Sequence, residues 1–127
     1  MKKQYLLLLL LILTIGSTWS QIPSAPYPPR LYNDLDQLNF LSPNEANELE
    51  NRLVQFERET SNEIAVIVID DLKGYDVSDY AIKIGEKWRI GKEKEDNGIV
   101  ILIKPTGGQG ERKTFIAVGR GLESVIP

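Results

Sequence analysis

The chain has no cysteine and no histidine among its 127 residues, and its one methionine is the first residue. Without cysteine there is no disulfide framework and no thiolate metal site. Without histidine, imidazole general bases, imidazole partners for a nucleophile and the usual zinc ligands are excluded. Any chemistry must run on carboxylates, hydroxyls, amides, amines or a hard cation. Positive charge is also scarce: 15 Lys+Arg against 18 Asp+Glu gives a net charge of −3. Without Lys2 and Lys3 the balance is 13 against 18, or −5. A mildly acidic surface argues against sequence-independent nucleic-acid binding. It is compatible with cation binding, or with solubility alone.

The one long hydrophobic run stands at the start. Met1-Lys2-Lys3 is basic, Leu6 to Ile15 is almost purely apolar, and Thr18-Trp19-Ser20 is a small-x-small step before Gln21. That order is a secretory signal peptide over residues 1–20. The run from Tyr5 to Ile15 is shorter than the roughly 20 residues of a membrane span. An uncleaved N-terminal anchor is the alternative. No cysteine follows, so lipid attachment at the cleavage point is excluded. The expected location is periplasmic or extracellular, or membrane-anchored, as for an exported bacterial protein.

What remains divides in two. Gln21 to Arg30 carries Pro23, Pro26, Pro28 and Pro29 and reads as an extended linker. Residues 31–127 read as one small domain, near the size at which a core suffices without staples. Leu31 to Leu41 looks irregular but apolar enough to pack. Ser42-Pro43-Asn44-Glu45 is a helix start, with a capping Ser, a Pro at the first turn and a Glu that closes a capping box. Ala46, Leu49, Leu53 and Phe56 follow on one face, predicting a helix to about Glu59. Ile64 to Ile69 is a β-branched run that predicts a buried strand. A second helix is expected from about Ser78 to Trp88, ended by Gly91. Strands are expected at 99–103 and about 114–118, with Gly107-Gly108 at the fold-back.

Strand, helix, strand is a βαβ unit, whose crossover is normally right-handed with parallel strands. The fold class is therefore α/β: a small mixed sheet, a βαβ unit plus an antiparallel hairpin, flanked by helices in a three-layer α/β/α tendency. Gly121 to Pro127 reads as the start of a further helix, and the chain as a truncated version of a longer protein.

This topology gathers polar residues at one sheet end. Glu63 and Asp96 both precede strands, and the hairpin returns Gly119 to Glu123 to the same end. Asp34 can also be brought there if residues 34–42 run extended, at about 3.3 Å per residue. Carboxylates, Asn97 and loop carbonyls suit a hard cation such as Ca2+, although no EF-hand spacing is present. Gly119-Arg120-Gly121 at a helix start offers N–H groups to an anion. Blander readings compete. Asn97-Gly98 is also turn chemistry, Glu123 also favours a helix start, and Asp70-Asp71 is also a solvated strand end. Lys92-Glu93-Lys94-Glu95 reads as an exposed loop, and Trp88 as core.

At these residues the chain resembles the TPM domain family, named for a thylakoid lumen protein, a photosystem II accessory protein and a receptor-associated membrane protein. The blocks that carry the resemblance are Asn33-Asp34, Leu41-Ser42, Glu59 to Ile64, Trp88-Arg89-Ile90-Gly91, Asp96-Asn97-Gly98 and Gly119-Arg120-Gly121-Leu122-Glu123. The resemblance implies a sheet flanked by helices and divalent-cation binding, often Ca2+ and alternatively Mg2+, in loops at one sheet end. It also implies an acid phosphatase activity proposed for some plant members. Asp34, Asp96, Asn97 and Glu123 match the family's polar blocks and become the candidate metal ligands, with Gly119, Arg120 and Gly121 as the anion-binding loop. Three functions follow as expectations. They are a cation-binding domain with an envelope or assembly role beside a membrane or envelope partner, a metal-assisted phosphomonoesterase, and a metal-free interaction domain.

Overall fold

In the computed structural model, residues 22–91 and 95–122 are described. The expected leader at 1–20, the loop residues 92–94 and Glu123 lie outside them, as does most of the helix expected after Gly121.

Six main elements form: β1 (Tyr32–Asp34), α1 (Pro43–Thr60), β2 (Glu63–Val68), α2 (Val77–Lys87), β3 (Gly98–Lys104) and β4 (Lys113–Val118). A 3-10 turn, Arg120–Leu122, follows. The start of α1 is the capping box that its sequence spells. The Ser42 hydroxyl accepts the Glu45 N–H at 3.2 Å, and the Glu45 carboxylate accepts the Ser42 N–H at 3.1 Å. Those bonds hold the Glu45 carboxyl below its usual range. The helix stops at Ser61, whose left-handed backbone turns the chain into β2.

The strands lie in the order β1-β2-β3-β4, parallel across the first two pairings and antiparallel across the last. Side chains alternate between two apolar layers. Val66 and Val68 pack with Leu53 of α1, while Ile67, Ile69, Val100 and Leu102 pack with Tyr80, Ala81 and Ile84 of α2. Each such buried aliphatic side chain contributes about 1.5–3 kcal/mol. Tyr80, edge-on to Tyr75, is almost fully buried. Burial first, then the carboxylates of Asp36 and Asp71, push its phenol up to about 12.

The helices therefore sit on opposite faces. The two crossovers step the same way across the sheet, so they are of opposite hand, and one departs from the usual right-handed rule. No helix among the described residues is long and apolar enough to cross a membrane.

Three local expectations are corrected. The stretch 31–41 is not wholly irregular: Tyr32–Asp34 pairs with Val66–Val68 as β1. Three residues are too few to show a period of two, and their order comes from the neighbouring strand. The Glu50 carboxylate of α1 reinforces it, accepting the Tyr32 N–H at 2.8 Å. Next, residues 22–23 do not behave as a free linker. Ile22 is buried in the α2 layer, and its carbonyl and that of Pro23 accept from Lys87 Nζ (2.7 Å) and Trp88 Nε1 (2.8 Å). Last, α2 ends at Lys87, close to the expected Trp88, but Arg89 and not Gly91 is what closes it. Arg89 takes the left-handed conformation, with Arg89 N–H to Glu86 O (3.2 Å) and Ile90 N–H to Gly85 O (3.0 Å). That paired return is a Schellman closure without glycine.

Candidate functional site

The register Glu63↔Gly98 between β2 and β3, and Ile99↔Val118 between β3 and β4, sets three chain turns at one end of the sheet. The turn into β2, the turn into β3 and the exit from β4 meet there, as the topology of the sequence requires.

Asp96 is the centre of this junction. Its backbone is left-handed (φ 46°), a conformation Asp tolerates better than most residues. Its Oδ2 accepts the Arg120 N–H at 3.0 Å, and its carbonyl accepts the Gly121 N–H at 3.0 Å. A Cβ on residue 119 would collide with the Asp96 carbonyl oxygen and lie 2.8 Å from its Oδ1, so glycine is what admits Asp96 this close. Gly91 and Gly98 press together in the same way: a Cβ on Gly91 would stand 2.8 Å from the Gly98 Cα. Glu63 completes the frame, its Oε2 accepting the Gly91 N–H at 2.7 Å. The sequence placed Glu63 at this end without giving it a task. Its position opposite Gly98 was the available signal.

Asn97 is buried, with 5 % of its surface exposed. Its Nδ2 donates to the Ser61 carbonyl, to Asn62 Oδ1 (3.3 Å) and to Glu95 Oε2 (3.2 Å). That side chain staples the α1–β2 turn to the entry of β3.

Beside Asp96 opens a groove of about 510 Å³ between α2 and the β3–β4 hairpin. Small residues make its floor: Ala81 and Gly85 from α2, Ala117 and Gly119 from the β4 side. Glu86, Arg89, Asp96 and Arg120 also line it, so one end of the groove is charged. Arg89 was not singled out from sequence. It lies in the Trp88-Arg89-Ile90-Gly91 block, and only the left-handed turn at the end of α2 brings it to the groove.

Asp34 does not join this cluster. β1 runs parallel to β2 with Asp34 opposite Val68, which puts it at the other end of the sheet. No return of the chain is needed, because Ser42 also starts α1 at that end. There the Asp34 carboxylate accepts the Leu38 N–H (2.9 Å) and the Phe40 N–H (3.2 Å), which is turn construction. Glu123 lies outside the described residues. Asp96, Asn97, Gly119, Arg120 and Gly121 are thus the predicted site residues that come together. Among the described residues, no group of three or more acidic side chains is placed to hold a metal ion.

Comparison with known proteins agrees with this architecture. The solution NMR structure of the N-terminal domain of a protein from P. gingivalis superposes with a TM-score of 0.63 at 26 % identity, over 77 % of this chain. The chain spans 59 % of the length of that structure. Comparison with curated proteins returns no match. The family model described as the TPM domain matches residues 35–127, which includes β2, β3, β4 and both helices. With the junction of its three turns built from the residues that the family model spans, the chain belongs to the TPM domain family.

Proposed function

We propose that this is an exported domain that binds a divalent cation, Ca2+ before Mg2+, at the Asp96 end of its sheet, in an envelope or complex-assembly role. The single observation that supports the reading is the packing of three turns around Asp96, with glycines at 119 and 121 where any side chain would collide with the Asp96 and Glu95 carbonyls. Hard cations take oxygen ligands in adaptable geometry. The described residues meet that demand in part. Asp96 supplies a carboxylate at the junction, Glu95 a second one next to it, and the proposal requires Glu123 to complete the set. Asn97 acts in this reading through position: its Nδ2 ties the α1–β2 turn to the entry of β3 and fixes the amide beside Asp96. Asp34 is left out of the ligand set by its place at the other end.

A second reading is a metal-assisted phosphomonoesterase, favoured by one observation: Arg89 and Arg120 line the groove beside Asp96. Guanidinium groups suit a phosphate. A bound cation would act as Lewis acid on a phosphoryl oxygen, and the two arginines would hold and orient the ester.

Thermal unfolding of the full chain, with and without millimolar Ca2+ or Mg2+, tests the proposal. A ligand at 100 times its Kd adds about 2.7 kcal/mol. An upward shift that Asp96→Asn abolishes is expected, and equal melting with and without either ion would overturn it. Phosphate release from a generic aryl phosphate, lost in Arg89→Ala and Arg120→Ala, separates the second reading from the first.

A further inference from the structure

Asn97 is the only asparagine of the chain that is followed by glycine. Asparagine is a thermolabile residue, and glycine as the next residue makes it more so. With no Cβ in the way, the glycine nitrogen reaches the side-chain carbonyl carbon and closes a five-membered imide. Turn chemistry of this kind is normally found on the surface. Here the asparagine is buried where three turns meet.

Both reacting groups are held. The Asn97 Nδ2 donates to the Ser61 carbonyl, to Asn62 Oδ1 and to Glu95 Oε2, all of them acceptors. The Asn97 carbonyl accepts the Glu63 N–H at 3.3 Å, and the Gly98 carbonyl accepts the Gly119 N–H at 2.9 Å. The main chain is thus tied on either side of the reacting pair. Gly91 lies so close to the Gly98 nitrogen that a Cβ on residue 91 would collide with it. Ring closure must draw a proton from that covered nitrogen and expel the amide nitrogen that serves three acceptors. The closed joint permits neither step.

We propose that Asn97–Gly98 is a self-modifying site that records opening of this joint. When local opening admits water, the Gly98 nitrogen gives up its proton to solvent and attacks the Asn97 side-chain carbonyl carbon. The bond to Nδ2 breaks and ammonia leaves. Water then opens the imide at either carbonyl, leaving an aspartate or an isoaspartate at position 97. One water is consumed, one ammonia is released and no electron changes hands. Each product bars reclosure. An aspartate sets a carboxylate against three acceptors, one of them the Glu95 carboxylate, with the donor gone. An isoaspartate puts an extra methylene into the main chain where Gly91 already touches Gly98. Opening, reversible in itself, is thereby made one-way. The inference rests on the packing of the joint and stands apart from cation binding.

The test uses the full chain with a chelator present, at mildly alkaline pH and body temperature, in buffer and in unfolding urea. Peptide mass spectrometry with electron-transfer fragmentation distinguishes asparagine, aspartate and isoaspartate at position 97. Conversion in urea should outpace conversion in buffer about a hundredfold or more, as protection by a closed structure requires. Glu63→Ala removes the acceptor of the Gly91 N–H. It should speed conversion in buffer about tenfold, with the circular dichroism spectrum retained. Asn97→Asp, one of the two products made directly, should unfold at lower urea than Asn97→Ala. Equal rates in buffer and urea, no acceleration by Glu63→Ala, or Asn97→Asp at least as stable as Asn97→Ala would each overturn it.

Discussion

The two ends of the sheet solve one problem, turning the chain, by different means. At the Asp34 end the turns are made by carboxylates. Asp34 accepts from Leu38 and Phe40, Asp36 from the Asp70 N–H at 2.7 Å, and Asp71 from the Lys73 N–H at 2.8 Å. These acids are mostly solvent-facing; Asp34 and Asp71 each close their own loop, and Asp36 reaches across to the loop after β2. At the Asp96 end the turns are made by backbone on backbone: Gly91 on Gly98, Gly119 on Asp96, and Gly121 on Glu95. One end is held by side chains on backbone and the other is a joint of backbone on backbone. Acidic residues alone therefore do not mark a site. The Asp34 end holds more carboxylates, and the Asp96 end holds the groove.

The sharpest way to break this contrast is to add one methyl group at the joint. Gly98→Ala would set a Cβ 2.6 Å from the Ile90 carbonyl carbon and 2.8 Å from the Gly91 nitrogen. Rigid backbone cannot yield as a side chain does, so a loss of about 3 kcal/mol is expected by urea unfolding. Next, Asn97→Ala removes the staple and leaves the Ser61 carbonyl without that donor. About 2 kcal/mol should be lost, read from the same unfolding curves.

Titration of Tyr80 gives an effect of similar size at the other extreme of pH. Its folded pKa of about 12 lies above the unfolded value near 10. The unfolded chain therefore ionises first. The stabilisation is complete below pH 10 and is lost as pH rises toward 12, by on the order of 2 kcal/mol. Tyr80→Phe should flatten that part of the stability curve, and an unchanged curve would remove Tyr80 as the cause. Asp34→Ala, at the other end of the sheet, should cost only about 1 kcal/mol. It should leave any cation-induced melting shift intact, whereas Asp96→Asn removes it. Smallest of all, Gly108→Ala meets open space and should move the melting temperature by less than the equivalent of about 0.5 kcal/mol.

Much of the joint was readable before any coordinates. A β-branched run, a helical period and a second apolar run fix β2-α2-β3, and the hairpin then forces residues 96–98 and 119–121 together. The capping box of α1 was also explicit, since its four residues are consecutive. What escaped reading depends on tertiary partners. β1 has too few residues to carry a pattern and is ordered by β2. The docking of Ile22 and Pro23 depends on Lys87 and Trp88, 65 positions further along the sequence. Asp34 was assigned to the wrong end because a flexible stretch permits many routes, and only the strand hidden within it decides which one the chain takes. Arg89 was overlooked because a left-handed arginine at a helix end is sterically uncommon, and glycine at 91 looked like the natural terminator.

The docking of Ile22 has a mechanical consequence. Ile22 and Pro23 sit beside the last turn of α2, not beside the edge strand β1. A pull applied at Ile22 is therefore borne first by the Lys87 and Trp88 bonds to the carbonyls of Ile22 and Pro23. Force applied at that point enters through the helix that walls the groove, so strain there is passed directly to the cleft.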